Sequence, residues 1–245
     1  MGQYFYENTK ILWEGRDLSG DLNNVSLSLD KADLDDTAFG DSGVNHRPGL
    51  KDFGMAFSGF TDFANPGIES TIHGDWGSQN KILTIAPEDV TEDVSTAYTT
   101  RGAILSFNPM EGSVGEMMAI SGSAVNTGNT IVRGIILASG AKTSSGNATG
   151  NQLGAVGAAE FLYASIHCTA VSGTNTPTID VIVESDDNSG FSSATTRVTF
   201  SSITAVGAQW ATPVAGTITD DYWRAAWTIT GTNPSLIVYV TIGIQ

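Results

Sequence analysis

Alternation of apolar and polar residues runs through most of this 245-residue chain and leaves few folds open to it. The run "SLIVYVTIGIQ" puts Leu236, Val238, Val240, Ile242 and Ile244 on one side. "FLYASIHCTAV" does the same with Leu162, Ala164, Ile166, Cys168 and Ala170, and "NNVSLSLD" with Val25, Leu27 and Leu29. A period of two is the pleat of a β-strand with one face buried. "KILTIAPE" and "GAILSFNP" read as further strands, each stopped by a proline that has no N–H for a ladder. "TIDVIVE", "TRVTFSS" and "YWRAAWTIT" follow at sandwich-like spacing, with "SDDNSG" as a turn. A terminus patterned like residues 236–244 is expected to be tied into a sheet.

Composition points the same way. Only 15% of residues are charged, against 40% hydrophobic, and there are 28 glycines. Few Lys, Glu or Arg remain to solvate helix faces, so strands and turns are favoured. One helix is expected in "ANPGIESTIHGDW". Asn65 is its N-cap, Pro66 its first position and Glu69 its acidic first turn, with Ile68 and Ile72 on one face. "PEDVTED" is a weaker candidate for a second. Residues 138–157, "ASGAKTSSGNATGNQLGAVG", read as a linker or exposed loop and divide the chain into 1–138 and 139–245. No run approaches the roughly 18 apolar residues of a membrane span. The N-terminus lacks the basic start and apolar core of a signal peptide, and Tyr6 stands where a myristoylation signal wants Ser or Thr. A soluble protein with no membrane partner is expected.

The side chains that carry chemistry are sparse. Cys168 is the one cysteine, which excludes an intrachain disulfide and every multi-cysteine zinc pattern. His46, His73 and His167 form no metal-binding motif. His167 faces the same way as Tyr163 and reads as packed or interfacial, and Cys168, on the opposite face, as a small buried hydrophobe. No nucleophile elbow, phosphate loop or dinucleotide fingerprint occurs. The expectation is no catalytic, cofactor-binding or metal-ligating residue, hence not an enzyme. A sandwich hydrolase would need a pair of carboxylates within catalytic range. Trp210, Trp223 and Trp227 read as core aromatics, with a sugar-stacking platform as the alternative.

The stretch "DLDDTAFGDSGVNHRPGL", residues 33–50, is the candidate functional segment. Asp33, Asp35, Asp36 and Asp41 offer oxygen donors to calcium, but the order of an EF-hand is absent. The favoured reading is an inter-subunit loop made of Asp33, Asp35, Asp36, Phe39, Asp41, His46, Arg47 and Leu50, with Pro48 and Gly49 directing the chain back into a sheet. Such a polar arm adds little closure entropy and gains its order when a neighbouring copy holds it.

Net charge is −15. Residues 1–125 hold 19 acidic and 7 basic side chains, a net of −12; residues 126–245 hold 7 and 4, a net of −3. With no basic run to neutralise phosphates, direct nucleic-acid binding is not expected. A surface that repels DNA fits.

Residues 11–60 resemble the major tail proteins of long-tailed bacteriophages, the subunits of the tail tube. The pieces that carry the resemblance are "GRDLSGDLNNVSLSLD", "DDTAFGDSGVNHRPGLKDFGMAFSGF", the helix after "DFANPG", and "TRGAILSFNPMEGSVGEMMAISGSA", over roughly residues 5–138. The C-terminal segment, especially "VESDDNSGFSSATTRVTF", "GAQWATPVAGTITDDYWRAAWTITGTNPS" and "TIGIQ", resembles a β-domain often found in phage structural proteins. The resemblance implies a mainly-β fold: a tail-tube-type β-sandwich or barrel (1–138) with a long loop and one short helix, then a C-terminal β-sandwich domain (139–245). It also implies a virion protein of the phage tail, made in the host cytoplasm. Its partner is itself, in rings of six, or of three if both halves are tube-like, stacked into a hollow tube. Tape measure, tail terminator and distal tail proteins are further partners, and DNA passes through the lumen without specific binding. The alternative is a carbohydrate-binding or decoration module of a phage particle.

Overall fold

In the computed structural model, residues 8–87, 95–129 and 131–245 are described. The "PEDVTED" segment beyond Pro87, and the N-terminal start, lie outside them. The elements run β1 (Lys10–Trp13), β2 (Arg16–Asp17), β3 (Leu22–Asp35), β4 (His46–Phe60), α1 (Ile68–Asp75), β5 (Lys81–Ala86), β6 (Thr96–Glu111), β7 (Ala119–Asn126) and β8 (Val132–Lys142). There follow β9 (Gly146–Asn147), β10 (Asn151–Gln152), β11 (Phe161–Asp186), β12 (Thr195–Thr199), β13 (Gly207–Trp210), β14 (Val214–Ala215) and β15 (Tyr222–Ile244). The protein is mainly β, as its alternation predicts, with 62% of residues in strands and 3% in the helix.

Two units share the chain. The first comprises residues 1–19, 82–100 and 132–245, the second 20–81 and 101–131. The junction expected at 138–139 falls inside β8, and the chain passes between units at 19–20, 81–82, 100–101 and 131–132 instead. Strand β6 contributes its first residues to one unit and the rest to the other. At 100–101 no break in the pattern marks the crossing, because β6 carries the chain across it unbroken.

The first unit is built on β11 and β15, antiparallel from Leu162↔Ile244 to Asp186↔Tyr222. Register shifts between Ser172 and Thr178, where Gly173, Asn175, Thr176, Gly231 and Asn233 all take positive φ. Both halves of this ribbon feed one core: Leu162, Ile166 and Cys168 from before the shift, Val181 and Val183 from after it, with Trp223 and Val240 of β15. A flat ribbon cannot do that, so it folds over at its middle. One layer continues through β8, the start of β6, β5, β1 and β2, while the other adds β12 on one side and β9 and β10 on the other. Burial of a large apolar side chain in such a core contributes about 1.5–3 kcal/mol. The final strand is tied in as expected, with Gln245 and Phe161 exchanging backbone hydrogen bonds.

Residues 138–157 are not a linker. Strand β8 runs on to Lys142, Gly146–Asn147 pairs with Trp227 and Ala226, Asn151–Gln152 pairs with Trp223 and Tyr222, and Ala148 is buried. Small polar residues suit a sheet edge as well as a loop, which is why composition alone misreads them.

The second unit is a four-stranded antiparallel sheet in the order β3–β4–β7–β6. Val25 lies opposite Phe57, Phe57 opposite Gly122, and Gly122 opposite Phe107. Val25, Phe53, Met55, Phe57, Ile104 and Ile120 are buried, as are Ile68 and Ile72 of α1. The helix begins later than the Asn65 cap predicts: Gly67 is the N-cap, and Ser70 Oγ reaches back to accept its N–H at 3.1 Å. That reach from the third helical position is half of a capping box.

Candidate assembly surface

From Ser28 to Asp52 every residue is exposed except half-buried Gly49. The β3–β4 ladder nevertheless continues through this stretch to Asp35↔His46, with an irregularity between Lys31 and Asp33. The expected loop is therefore the distal half of a two-stranded ribbon, and only residues 36–45 turn freely of the ladder. Pro48 is accommodated within β4 opposite Asp33, next to the bulge. All eight residues singled out in the sequence lie at this tip.

The aspartates are spent on closing the tip. Asp33 Oδ1 lies 2.9 Å from His46 Nδ1, and Asp36 pairs with Arg47. Asp35 Oδ1 accepts the Thr37 N–H at 2.9 Å and the Thr37 hydroxyl at 2.5 Å, and these bonds hold its carboxyl below the usual range. Asp41 Oδ2 accepts the Ala38 N–H at 2.8 Å, and Thr37 Oγ1 that of Asn45 at 2.8 Å. Each carboxylate thus has a protein partner and none converges with another on a common point. Among the described residues no group of three or more His, Cys, Asp or Glu is placed to hold a metal. Phe39 and Leu50 project fully into solvent, with Leu34 and Val44 more than half exposed.

The β6–β7 hairpin forms a second tip. Its loop, residues 112–118, carries exposed Val114, Met117 and Met118, with Met110 just before it. Thirteen of the fourteen large apolar side chains exposed among the described residues belong to the second unit, and Phe161 is the exception. Contiguous exposed apolar patches commonly mark interaction sites, which makes these two tips the candidates.

Other candidates are absorbed by packing. Trp223 is fully buried, its indole N–H donating to Gly154 O at 2.8 Å, so it cannot stack on a sugar. Trp227 donates to Ser144 O at 2.9 Å and lies under the Lys142 ammonium, 4.5 Å from the ring centre. Trp210 sits beside Tyr163. The three do not form one platform. Cys168 is buried, and burial pushes its thiol up to about 11, against nucleophilic use.

His167 is buried as expected, but its setting was not legible. Its Nδ1 accepts the Gly15 N–H at 3.2 Å, which leaves the proton on Nε2, 3.0 Å from Thr84 Oγ1. Thr84 meets Thr99 at 3.0 Å, Thr99 meets Ser165 at 3.0 Å, and Ser165 meets Thr241 at 2.6 Å. All are buried, so this polar chain ties β5, β6, β11 and β15 together on the face of β11 opposite the apolar core. Burial pushes the His167 pKa down to about 3, so the imidazole is neutral at ordinary pH.

No family model matches the chain, and no curated protein matches it. Among solved structures, the chain is similar to the SPP1 Dit (gp 19.1) protein, described as a paradigm of the hub adsorption apparatus in phages infecting Gram-positive bacteria. Identity is 12% over 98% of this chain and 100% of that one, with a TM-score of 0.35, too low to establish a shared fold.

Proposed function

We propose that the protein is a structural, non-enzymatic subunit of a phage tail, which joins copies of itself into stacked rings around a channel for DNA. The observation that carries this reading is the arm. A ribbon of 25 residues with no buried side chain has nothing of its own to pack on, and an isolated two-stranded hairpin is marginal in water. Its exposed Phe39 and Leu50 add apolar surface that a neighbour would cover. The sequence resemblance to tail-tube subunits supplies the rest: six copies per ring, contact with tape measure and terminator proteins, and residence in the virion.

Charge supports the placement of the channel. The second unit carries 12 acidic and 5 basic residues, net −7 in 93 residues, against net −8 in the 152 residues of the first. Denser negative charge suits a wall that must not bind DNA. Screening acts over about 8 Å at physiological salt, so only carboxylates projecting into the channel contribute. Sedimentation velocity over a range of concentrations tests the assembly reading. Large species should appear and grow with concentration; a single monomer boundary at every concentration contradicts it.

A further inference from the structure

One seam of the first unit is closed without a strand ladder. The layer that runs from β11 through β15, β8, β6, β5 and β1 ends at β2, and the β1–β2 turn comes back onto β11 and β13. Among the described residues β2 pairs only with β1, and β11 only with β12 to β15. The turn meets β11 through the Gly15 N–H, donated to His167 Nδ1 at 3.2 Å. It also fits closely against β13, since a Cβ on Gly15 would stand 2.4 Å from Gly207 O. Behind this contact lies the buried hydroxyl chain of Thr84, Thr99, Ser165 and Thr241. Water entering there finds donors and acceptors to satisfy, unlike water entering an apolar core.

The described charged and titratable groups around the imidazole are engaged with others or turned away. Tyr239, directly opposite on β15, has the Lys10 ammonium 5.8 Å from its ring centre, and Lys10 pairs with Asp17 at 2.8 Å. Glu14 Oε1 accepts the Ile82 N–H at 2.6 Å, and Arg16 follows Gly15 in β2. On β5, Lys81 stands three residues from Thr84 and so on the other face. Arg101 of β6 bonds Asn129. Along β11, Tyr163 packs beside Trp210, and Cys168 points to the opposite face. Among these, no carboxylate bonds the ring to balance a positive charge on it.

We propose that the β1–β2 turn is an acid-released latch: a proton taken from water onto His167 Nδ1 turns the acceptor of the Gly15 N–H into a second donor, and the turn parts from β11 while the strands on either side stay paired. Strand β1 keeps its ladder with β5, from Lys10↔Ala86 to Trp13↔Leu83. Nε2 carries its own proton toward Thr84 in both forms, so the change is confined to Nδ1. Closed, the imidazole stays neutral down to about pH 3; opened to water, it titrates near its ordinary value of roughly 6.5. The open fraction therefore rises about tenfold for each pH unit between 6.5 and 4.

Hydrogen exchange in the whole chain, corrected for the chemical exchange rate at each pH, tests the latch. Protection of the Gly15 amide should fall about tenfold per unit from pH 6.5 to 4 and stay at least tenfold below that of Val240, a core residue of β15, because local opening precedes unfolding. In His167→Gln the side-chain amide can accept from Gly15 and donate to Thr84 without titrating in this range, so Gly15 protection should no longer depend on pH. A Gly15 protection equal to that of Val240 at every pH would mean that the turn opens only with the whole protein, and would overturn the proposal. So would a wild-type protection that does not change with pH, or an unchanged pH dependence in the variant. If His167→Gln fails to fold, the two wild-type comparisons decide alone.

Discussion

Replacing residues 31–51 by Asn-Gly will leave a folded protein and abolish its assembly. Asp30 and Asp52 face each other in register, so a two-residue turn of the favoured hairpin type can close the shortened ribbon there. No residue removed is buried, and the nearest core side chain is Phe53. The melting temperature should therefore change by only a few degrees, the scale of about 1 kcal/mol in a protein of this size. Assembly, in contrast, should fall below detection under the proposed reading, in which the arm makes the contact between copies. Thermal unfolding and sedimentation on the same sample decide the matter. A variant that melts near wild type and still assembles removes the arm from the mechanism.

The second large effect is acid sensitivity centred on His167. Its folded pKa, about 3, lies below the unfolded value of roughly 6.5, so the unfolded state binds the extra proton. Stability from this group is complete above about pH 6.5 and is lost as pH falls toward 3, at about 1.4 kcal/mol per unit, on the order of 5 kcal/mol in all. That is a large share of the 5–15 kcal/mol typical of whole proteins. Carboxylates with depressed pKa values, Asp17 and Asp220 among them, lose their contribution mainly below pH 4. The window from 6.5 to 4 therefore belongs mostly to the imidazole. His167→Leu should lower stability at pH 7 by about 2–4 kcal/mol, since it strips partners from the Gly15 amide and Thr84 hydroxyl. It should also flatten the slope between pH 6.5 and 4. Denaturant midpoints at pH 7, 5.5 and 4 provide the check, and an unchanged slope in the variant contradicts the assignment.

Much of the fold was legible because alternation reports burial directly. The faces read for Leu162, Ile166 and Cys168, for Val25, and for Val238 to Ile242 are those the structure buries. The fading of β3 after Leu27 was not legible: Leu29 keeps the alternation yet is exposed, because no element covers that part of the ribbon. The packing of His167 was legible, but the buried hydroxyls around it, Ser165 among them, were not. Hydroxyls satisfied by Thr99 and Thr241 look in sequence like hydroxyls satisfied by water. Nor could local pattern reveal that "FLYASIHCTAV" and "TIDVIVE" are halves of one folded ribbon, since the pairing with β15 joins residues up to 82 positions apart. In the candidate surface, the acidic arm stood out by composition. Its ladder to Asp35↔His46, and the internal use of its aspartates, depend on register across the loop.

Electron microscopy of the purified 245-residue protein at high concentration tests the central claim most directly. The account predicts hollow tubes of stacked rings, six copies to a ring, whose channel wall is net negative and formed by residues 20–81 and 101–131. Dispersed single particles at every concentration, or tubes whose channel wall is net positive, would contradict it.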